Sequence, residues 1–437
     1  MTEKSATLPA GDPRIAAETL TLEGPYGPQT PVSTYFMLTY FFAQTAAWIG
    51  ILAPVVVSLA IRVGQVATPE EKAAQLGIIL GVGAFGALVA APAWGAISDR
   101  TTARVGRRKL WMMLGAAMLL AGLLTMAFSP NLLVLGIGWF ICQVGSNANQ
   151  AALNAVLPDV VPDHQRGRTS GLLGLSITVA VLAAVFITQY TTSSPILMFL
   201  VPWLLIPVSQ AMFFPVFKDK PADTSTMPKY SVKEFGRTFW VNPVRHPDFA
   251  WAFFSRFFVF LGTAFLQSYQ VYFLTDHLQI GLGEVAGMIF LSTLINSAIT
   301  IIVSMIGGWM SDRFRRRKPF VWAAAIITGV GLLVIGMSST FDQFLIGAAI
   351  MSLGSGLYYA VDLALVAMVL PDPNDAAKDM GVFQIANSLP QSLAPAIAPF
   401  FLAIGTVSGG NYPVLFIAAT VFAVIGAFLI IPVKKTH

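Results

Sequence analysis

Apolar residues along this chain gather into twelve long runs, each bounded by charge, glycine or proline, at about 34–60, 75–97, 110–128, 131–157, 169–190, 195–217, 249–274, 284–309, 319–338, 343–370, 380–403 and 411–432. A membrane-crossing helix needs about 20 apolar residues, and these runs meet that length without the strand-like alternation of a β-barrel. The pattern therefore predicts twelve transmembrane helices. Residues 1–33 are polar and broken by Pro9, Pro13, Pro25, Pro28 and Pro31, which predicts a flexible tail and no cleavable leader. The segment 218–248 carries six basic residues and four prolines and divides the helices six and six, giving an N-terminal half at 34–217 and a C-terminal half at 249–437.

Composition strengthens this reading. Of 437 residues, 56% are hydrophobic and 11% charged, with a mean hydropathy of +0.72, against about 45–50% and about 25% in soluble domains. So few charges cannot cover a water-facing surface, and the class is an all-α membrane protein. The net charge of +5 comes from basic clusters between apolar runs, which points to membrane topology and away from nucleic acid. With the N-terminus in the cytoplasm, 23 of 26 Lys and Arg fall inside, Arg62 and Lys72 fall outside, and Arg256 lies within a span. That asymmetry predicts a multi-pass inner-membrane protein with both termini cytoplasmic, its partners the lipid bilayer and a small solute. A monomer is expected. The lone Cys142 permits no internal disulfide, and His164, His246, His277 and His437 have no metal-ligand spacing. Gly81-Val-Gly83-Ala-Phe-Gly86 matches a dinucleotide fingerprint only nominally and reads as close helix packing. No enzyme, cofactor or catalytic residue is expected.

Two segments recur at one offset. Ser98-Asp99-Arg100 returns as Ser311-Asp312-Arg313, and Val156-Leu157-Pro158-Asp159 returns as Val369-Leu370-Pro371-Asp372, both 213 residues on. Two anchors at one offset argue for duplicated six-helix halves related in parallel, the symmetry of carriers whose site lies between the halves. The loop Gly95 to Lys109, with Asp99-Arg100 followed by Gly106-Arg107-Arg108, resembles the cytoplasmic signature of the major facilitator superfamily. Its spacing, with Leu157-Pro158-Asp159 through Arg168 and Leu370-Pro371-Asp372 through Gln391, is similar to the glycoside-pentoside-hexuronide cation symporters and sucrose-type carriers. The resemblance implies a cytoplasmic gate of Asp99, Arg100, Gly106, Arg107, Arg108, Asp312 and Arg313. In it Asp99 meets the start of the eleventh helix near Lys378–Gly381, and Asp312 the start of the fifth. A carboxylate opposing a helix N-terminus contributes about 0.3–1 kcal/mol.

Charges inside spans cost about 2.5–3.5 kcal/mol on insertion scales, so the exceptions mark candidate chemistry. They are Arg256 in the seventh span and Asp362 in the tenth, both about 10–12 Å deep at 1.5 Å per residue. Equal depth and opposite sign predict a pair that borders the cavity and couples transport, with Asp362 the carboxylate available to a proton. Amides supply a second signal. Gln143, Asn147, Gln150 and Asn154 share one face of the fourth span, and Gln267 and Gln270 lie on the seventh. Gln44 and Trp48 in the first span, Tyr358 and Tyr359 in the tenth, and Asn387 in the eleventh complete the predicted substrate set. Amides interleaved with aromatics suit an uncharged hydroxylated ligand. No carboxylate lies in any span of the first half, where melibiose-type relatives bind sodium. The expected function is therefore secondary transport of a neutral sugar or glycoside by alternating access, with protons as the candidate coupling ion. Efflux of an amphipathic compound, or a non-transporting membrane sensor, are the alternatives.

Overall fold

The structure is a computed structural model, and it describes residues 23–24, 27–28, 31–221, 243–314, 317–369, 376–405 and 410–434. Most of the predicted tail and most of the predicted linker lie outside these residues; within the tail, Glu23–Gly24 pairs with Gly27–Pro28 in a two-residue antiparallel ladder. Among the described residues twelve long helices follow: α1 Thr34–Val66, α2 Lys72–Asp99, α3 Lys109–Ala127, α4 Leu132–Val160, α5 Asp163–Gln189 and α6 Pro195–Phe213. After the linker come α7 Pro247–Tyr272, α8 Leu282–Phe314, α9 Lys318–Gly336, α10 Phe341–Val369, α11 Ala376–Leu402 and α12 Tyr412–Leu429. Eleven are long and apolar enough to cross a membrane. The other, α11, carries three prolines among its amides and hydroxyls.

Local chemistry sets the ends. Ser33, Asn131, Ser194 and Asn411 each accept a backbone N–H from the first turn of α1, α4, α6 and α12, satisfying donors that have no intrahelical partner. Two helices contain wider turns. Pro54 lacks the N–H that α1 needs, and the helix absorbs the defect as a π segment, Pro54–Ser58. The end of α7 widens in the same way over Phe273–His277 before the chain turns at Gln279, whose φ is +57°. Because α1 continues past its π segment, Arg62 sits on the helix and not in the loop expected from sequence; its guanidinium donates to the carbonyls of Met126 and Ser129, capping the end of α3.

The packing repeats with the sequence. α1 packs on α5 and α6 as α7 does on α11 and α12; α2 and α3 pack on α4 as α8 and α9 do on α10; α3 meets α6 as α9 meets α12. Between the first six helices and the last six, the main contacts are α2 with α11 and α5 with α8, themselves a symmetric pair. The tightest seams, α3 with α4 and α9 with α10, run backbone against backbone. A Cβ on Gly122 would lie 2.6 Å from the Gly138 carbonyl oxygen, and one on Gly331 would overlap the Met351 backbone. The nominal Gly81–Gly86 fingerprint serves the same purpose, seating Trp139 over Gly83 and Phe140 over Gly86.

One end of the bundle, called the basic face here, carries the start of α1, the end of α12 and the 98–109 loop; the other is the opposite face. In that loop Gly106 has φ +114°, and a Cβ there would overlap the Asp219 carboxylate. Asp219 needs the space, because its Oδ2 accepts the backbone N–H of Arg108 (2.7 Å) and Lys109 (2.8 Å) at the start of α3. Gly106→Ala is expected to cost about 1–2 kcal/mol through the left-handed backbone alone, and more through the displaced cap. A thermal unfolding midpoint unchanged from the parent protein would show that the loop relaxes freely.

Candidate functional site

A cavity of about 570 Å³ lies between the first and last six helices. α1 contributes Trp48 and Val55, α2 Leu80, Ala84, Ala87 and Leu88, and α4 Trp139, Gln143 and Asn147. From the other side come Ala264, Gln267 and Ser268 on α7 and Ile385, Ser388, Leu389, Gln391 and Ser392 on α11. Among these described lining residues none is ionisable. Of the predicted substrate residues, Trp48, Gln143, Asn147 and Gln267 therefore meet around one space. Asn147 also donates to the Gln143 carbonyl one turn back on its own helix (2.8 Å), which leaves its amide oxygen as an acceptor.

The other predicted substrate residues sit elsewhere. Gln44 is buried and donates to both Gln150 and Asn154 (3.0 Å each), so the lower part of the α4 amide stripe fastens α4 to α1. Gln270 donates to Ser292 on α8 (3.2 Å). Asn387 is half-buried on α11, outside the cavity lining. Phe36, in the first turn of α1, is buried and packs on Tyr40 and Phe213. Sequence reasoning missed Trp139, which reads as core because it lies in an apolar run, and Ser268, whose hydroxyl stands out from no periodic pattern.

Arg256 and Asp362 form an ion pair between α7 and α10, 7% and 6% exposed. Tyr358, four residues before Asp362 on α10, shares its helix face. The guanidinium lies over two rings, 5.2 Å from the Phe260 centroid and 4.9 Å from that of Phe383 on α11. Tyr358 and Tyr359 meet Phe260 edge-on, at 5.9 and 6.1 Å. Tyr358 is buried and Tyr359 is half exposed. The pair is not part of the cavity lining. Phe260 and Phe383 carry it toward the cavity instead, since each lies one to two turns before lining residues on its own helix.

At the basic face, the predicted gate residues of the first repeat assemble with one another. Arg108 is 4% exposed and binds Asp99 (2.6 Å), Asp159 (2.8 Å) and the Ser98 hydroxyl (2.9 Å); Arg107 also binds Asp159 (2.9 Å). Burial opposes the charge on Arg108, but Asp159 and Asp99 outweigh it and hold its pKa above the ordinary arginine value. The described partner of Asp99 is thus Arg108 on its own side of the molecule; the side chains at the start of α11, where the resemblance implies a second contact, lie outside the described residues. The organising carboxylate is Asp159, from the Leu-Pro-Asp segment, to which the sequence assigned no role. The Asp312 side chain lies outside the described residues; Arg313 is exposed beside the Trp309 ring, 5.7 Å from its centroid, and Arg100 is exposed.

A helical chain with this paired contact symmetry and an uncharged central cavity can be set beside known proteins. The family model for the Major Facilitator Superfamily matches residues 36–303 and 252–437. The chain belongs to the Major Facilitator Superfamily. This is a family of multi-pass membrane transporters rather than enzymes. Among characterised relatives, a probable 4-methylmuconolactone transporter of Cupriavidus pinatubonensis is 34% identical over 109 residues, 24% of this chain and 25% of that one. A D-xylose transporter of Levilactobacillus brevis is 34% identical over 119 residues, 27% of this chain and 25% of that one. These matches span about a quarter of each relative. Solved structures align over nearly the whole chain: a bacterial homologue of the human lysosomal transporter Spinster, inward-facing and occupied (TM-score 0.71, 16% identity, 94% of this chain and 98% of that one), and a D-xylose-proton symporter (0.70, 13%, 92% and 99%). At such identities they share the superfamily fold with this chain.

Breaking the buried pair from one side is expected to be far worse than removing it whole. Asp362→Ala leaves the Arg256 cation unpaired, at a cost of about 3–5 kcal/mol, whereas the double change Arg256→Met, Asp362→Leu is expected to fall within about 1 kcal/mol of the parent. Thermal unfolding of the two purified variants checks this, and equal losses would mean that the pair is not energetically coupled.

Proposed function

We propose that this chain is a secondary transporter of a small neutral solute, a sugar or glycoside, in the inner membrane. The observation that carries the reading is the cavity of about 570 Å³, within the usual range of about 300–1,000 Å³ for small-molecule sites. Its amides and hydroxyls on α4, α7 and α11 are neutral donors and acceptors suited to ligand OH groups, and Trp48 offers a face for an apolar ring surface. A charged substrate would have to enter with no counter-ion among the described lining residues. The glucose transporter GlcP of Staphylococcus epidermidis, 32% identical over 25% of this chain and 23% of its own, and the D-xylose relatives support the same substrate class. So does the resemblance to the glycoside and sucrose carrier group.

In this reading α1–α6 and α7–α12 are two halves that rock about the cavity, and the basic face with both termini is cytoplasmic, by the positive-inside asymmetry. Protons are the coupling ion, through Asp362. Protonation would release Arg256, and the two rings that cover the guanidinium, on α7 and α11, connect that event to cavity residues on the same helices. Gly106 and the Asp99, Arg107 and Arg108 cluster stiffen the cytoplasmic end of the first half, with Asp312 and Arg313 as their counterparts in the second. The protein acts as a monomer. Efflux of an amphipathic compound is the second reading, favoured by the apolar run Leu80, Ala84, Ala87 and Leu88 along α2.

Thermal-shift screening of the purified protein against D-glucose, D-xylose and methyl and phenyl glucosides, at acidic and neutral pH and with and without sodium, tests the substrate class. Stabilisation by at least one sugar, independent of sodium and reduced at least roughly tenfold in affinity by Gln267→Ala, is expected. Absence of stabilisation by every sugar, with stabilisation by amphipathic aromatics, would move the assignment to efflux. In proteoliposomes, Asp362→Asn is expected to flatten the pH dependence of uptake; an unchanged profile would remove Asp362 from coupling.

A further inference from the structure

Two ion pairs among the described residues differ in what they join. Arg256 and Asp362 both lie in the last six helices, so rearranging the two sets of six leaves the pair intact. Lys72 and Asp276 lie on opposite sides of the junction, Lys72 opening α2 and Asp276 in the π turn that ends α7. Their separation is 2.5 Å, and they are 19% and 12% exposed.

Asp276 is the hub of a wider clasp. One carboxylate oxygen accepts from Lys72 and from Thr275 (2.9 Å), and the other from the Tyr412 hydroxyl on α12 (2.9 Å). The Lys72 ammonium also lies over the Tyr272 ring, 5.1 Å from its centroid. Tyr272 in turn donates to the Ala60 carbonyl on α1 (2.8 Å), and Tyr269 donates to the Ala73 carbonyl on α2 (3.1 Å). Tyr269, Tyr272 and Asp276 follow at helical spacing, so one stripe of α7 supplies three anchors on the first six helices. The clasp closes over the cavity, because Tyr269 adjoins Gln267 and Ser268, and its hydroxyl would lie 2.7 Å from a Cβ on Gly77. Beneath it Gly77 and Gly81 let α2 lie directly against Pro395 and Ala396 of α11.

The symmetric contact, α5 with α8, is built differently. There Phe186 packs on Phe290 at 5.4 Å, and Gln189 lies beside Gly287, where its Oε1 would be 3.6 Å from a Cβ. That seal can part and re-form without separating charges.

We propose that Asp276 is the latch of the opposite face: its ion pair with Lys72 holds α7 and α12 against α2, and release of Lys72 is the step that opens the cavity on that side. This rests on the alternating-access reading above. Partial exposure suits the role. Water can reach both groups, so the charges are rehydrated as they part, whereas the Arg256–Asp362 pair has no such exchange. The π turn places Asp276 where α2 and α12 can both reach it, and the Tyr412 hydroxyl remains to hold the carboxylate after Lys72 leaves.

Distance measurements between two spin labels test the latch without a known substrate. Cys142 is the only cysteine, so Cys142→Ser gives a background free of competing thiols. Tyr190→Cys and Leu282→Cys place exposed labels beside α5 and α8 at the opposite face. In this background Lys72→Met and Asp276→Asn are each expected to raise the long-distance population at least roughly fivefold, while Lys72→Arg leaves it at the parent value. Gly77→Leu, which wedges α2 off the Pro395 carbonyl, supplies the open reference. If Gly77→Leu lengthens the distance but neither Lys72→Met nor Asp276→Asn does, the latch is overturned and the rocking motion stands. If the folded Gly77→Leu protein does not lengthen it either, the two sets of helices do not part at this face, and both proposals fall.

Discussion

A chain that lives in hydrocarbon must find an internal partner for every polar group it keeps there, and this constraint arranges the rest of the molecule. Most charges are sent to helix ends, where Arg62, Lys109 and Lys318 turn to free carbonyls at the ends of α3, α6 and α12. Amides within the membrane are either tied across helices, as Gln44 is to Gln150 and Asn154, or turned toward the cavity, as Gln143 and Gln267 are. The one carboxylate and one guanidinium retained deep inside neutralise each other and are wrapped in aromatic rings.

Seen this way, what the sequence could and could not reveal has a physical cause. Helix count, the six-and-six offset and the Arg256–Asp362 pairing follow from run length, repetition and equal depth, which are one-dimensional quantities. The cavity was only half legible. Helical periodicity places Gln143, Asn147, Gln150 and Asn154 at one angle around α4, but it does not say what faces each of them along the axis. Less than one turn separates Asn147, which lines the cavity, from Gln150, which bonds α1. Trp139 was illegible for the converse reason, since a tryptophan in an apolar run looks the same whether it packs on lipid, protein or a ligand space. In the 98–109 loop the residues were legible and their near partners were not: Asp159 and Asp219, one helix and one loop away, supply carboxylates that no motif spacing singles out.

The duplicated packing makes the unduplicated electrostatics informative. Helix pairings recur between the first and last six helices, yet the buried ion pair and its aromatic box belong to the last six, and the spans of the first six carry no carboxylate that could form a second such pair. The first six helices bring two tryptophans and two amides to the described cavity lining; α7 and α11 bring all of its hydroxyls.

The glycine seams of α3 with α4 and α9 with α10 have a mechanical consequence. Where backbones touch, there are no long side chains to change rotamer and absorb a relative shift. Each seam therefore behaves as a stiff plate, and any displacement imposed on α3 or α9 arrives undiminished at α4 or α10. In the rocking motion proposed above, the compliant joints are then α2 with α11 and α5 with α8, the lines where the two sets of helices meet.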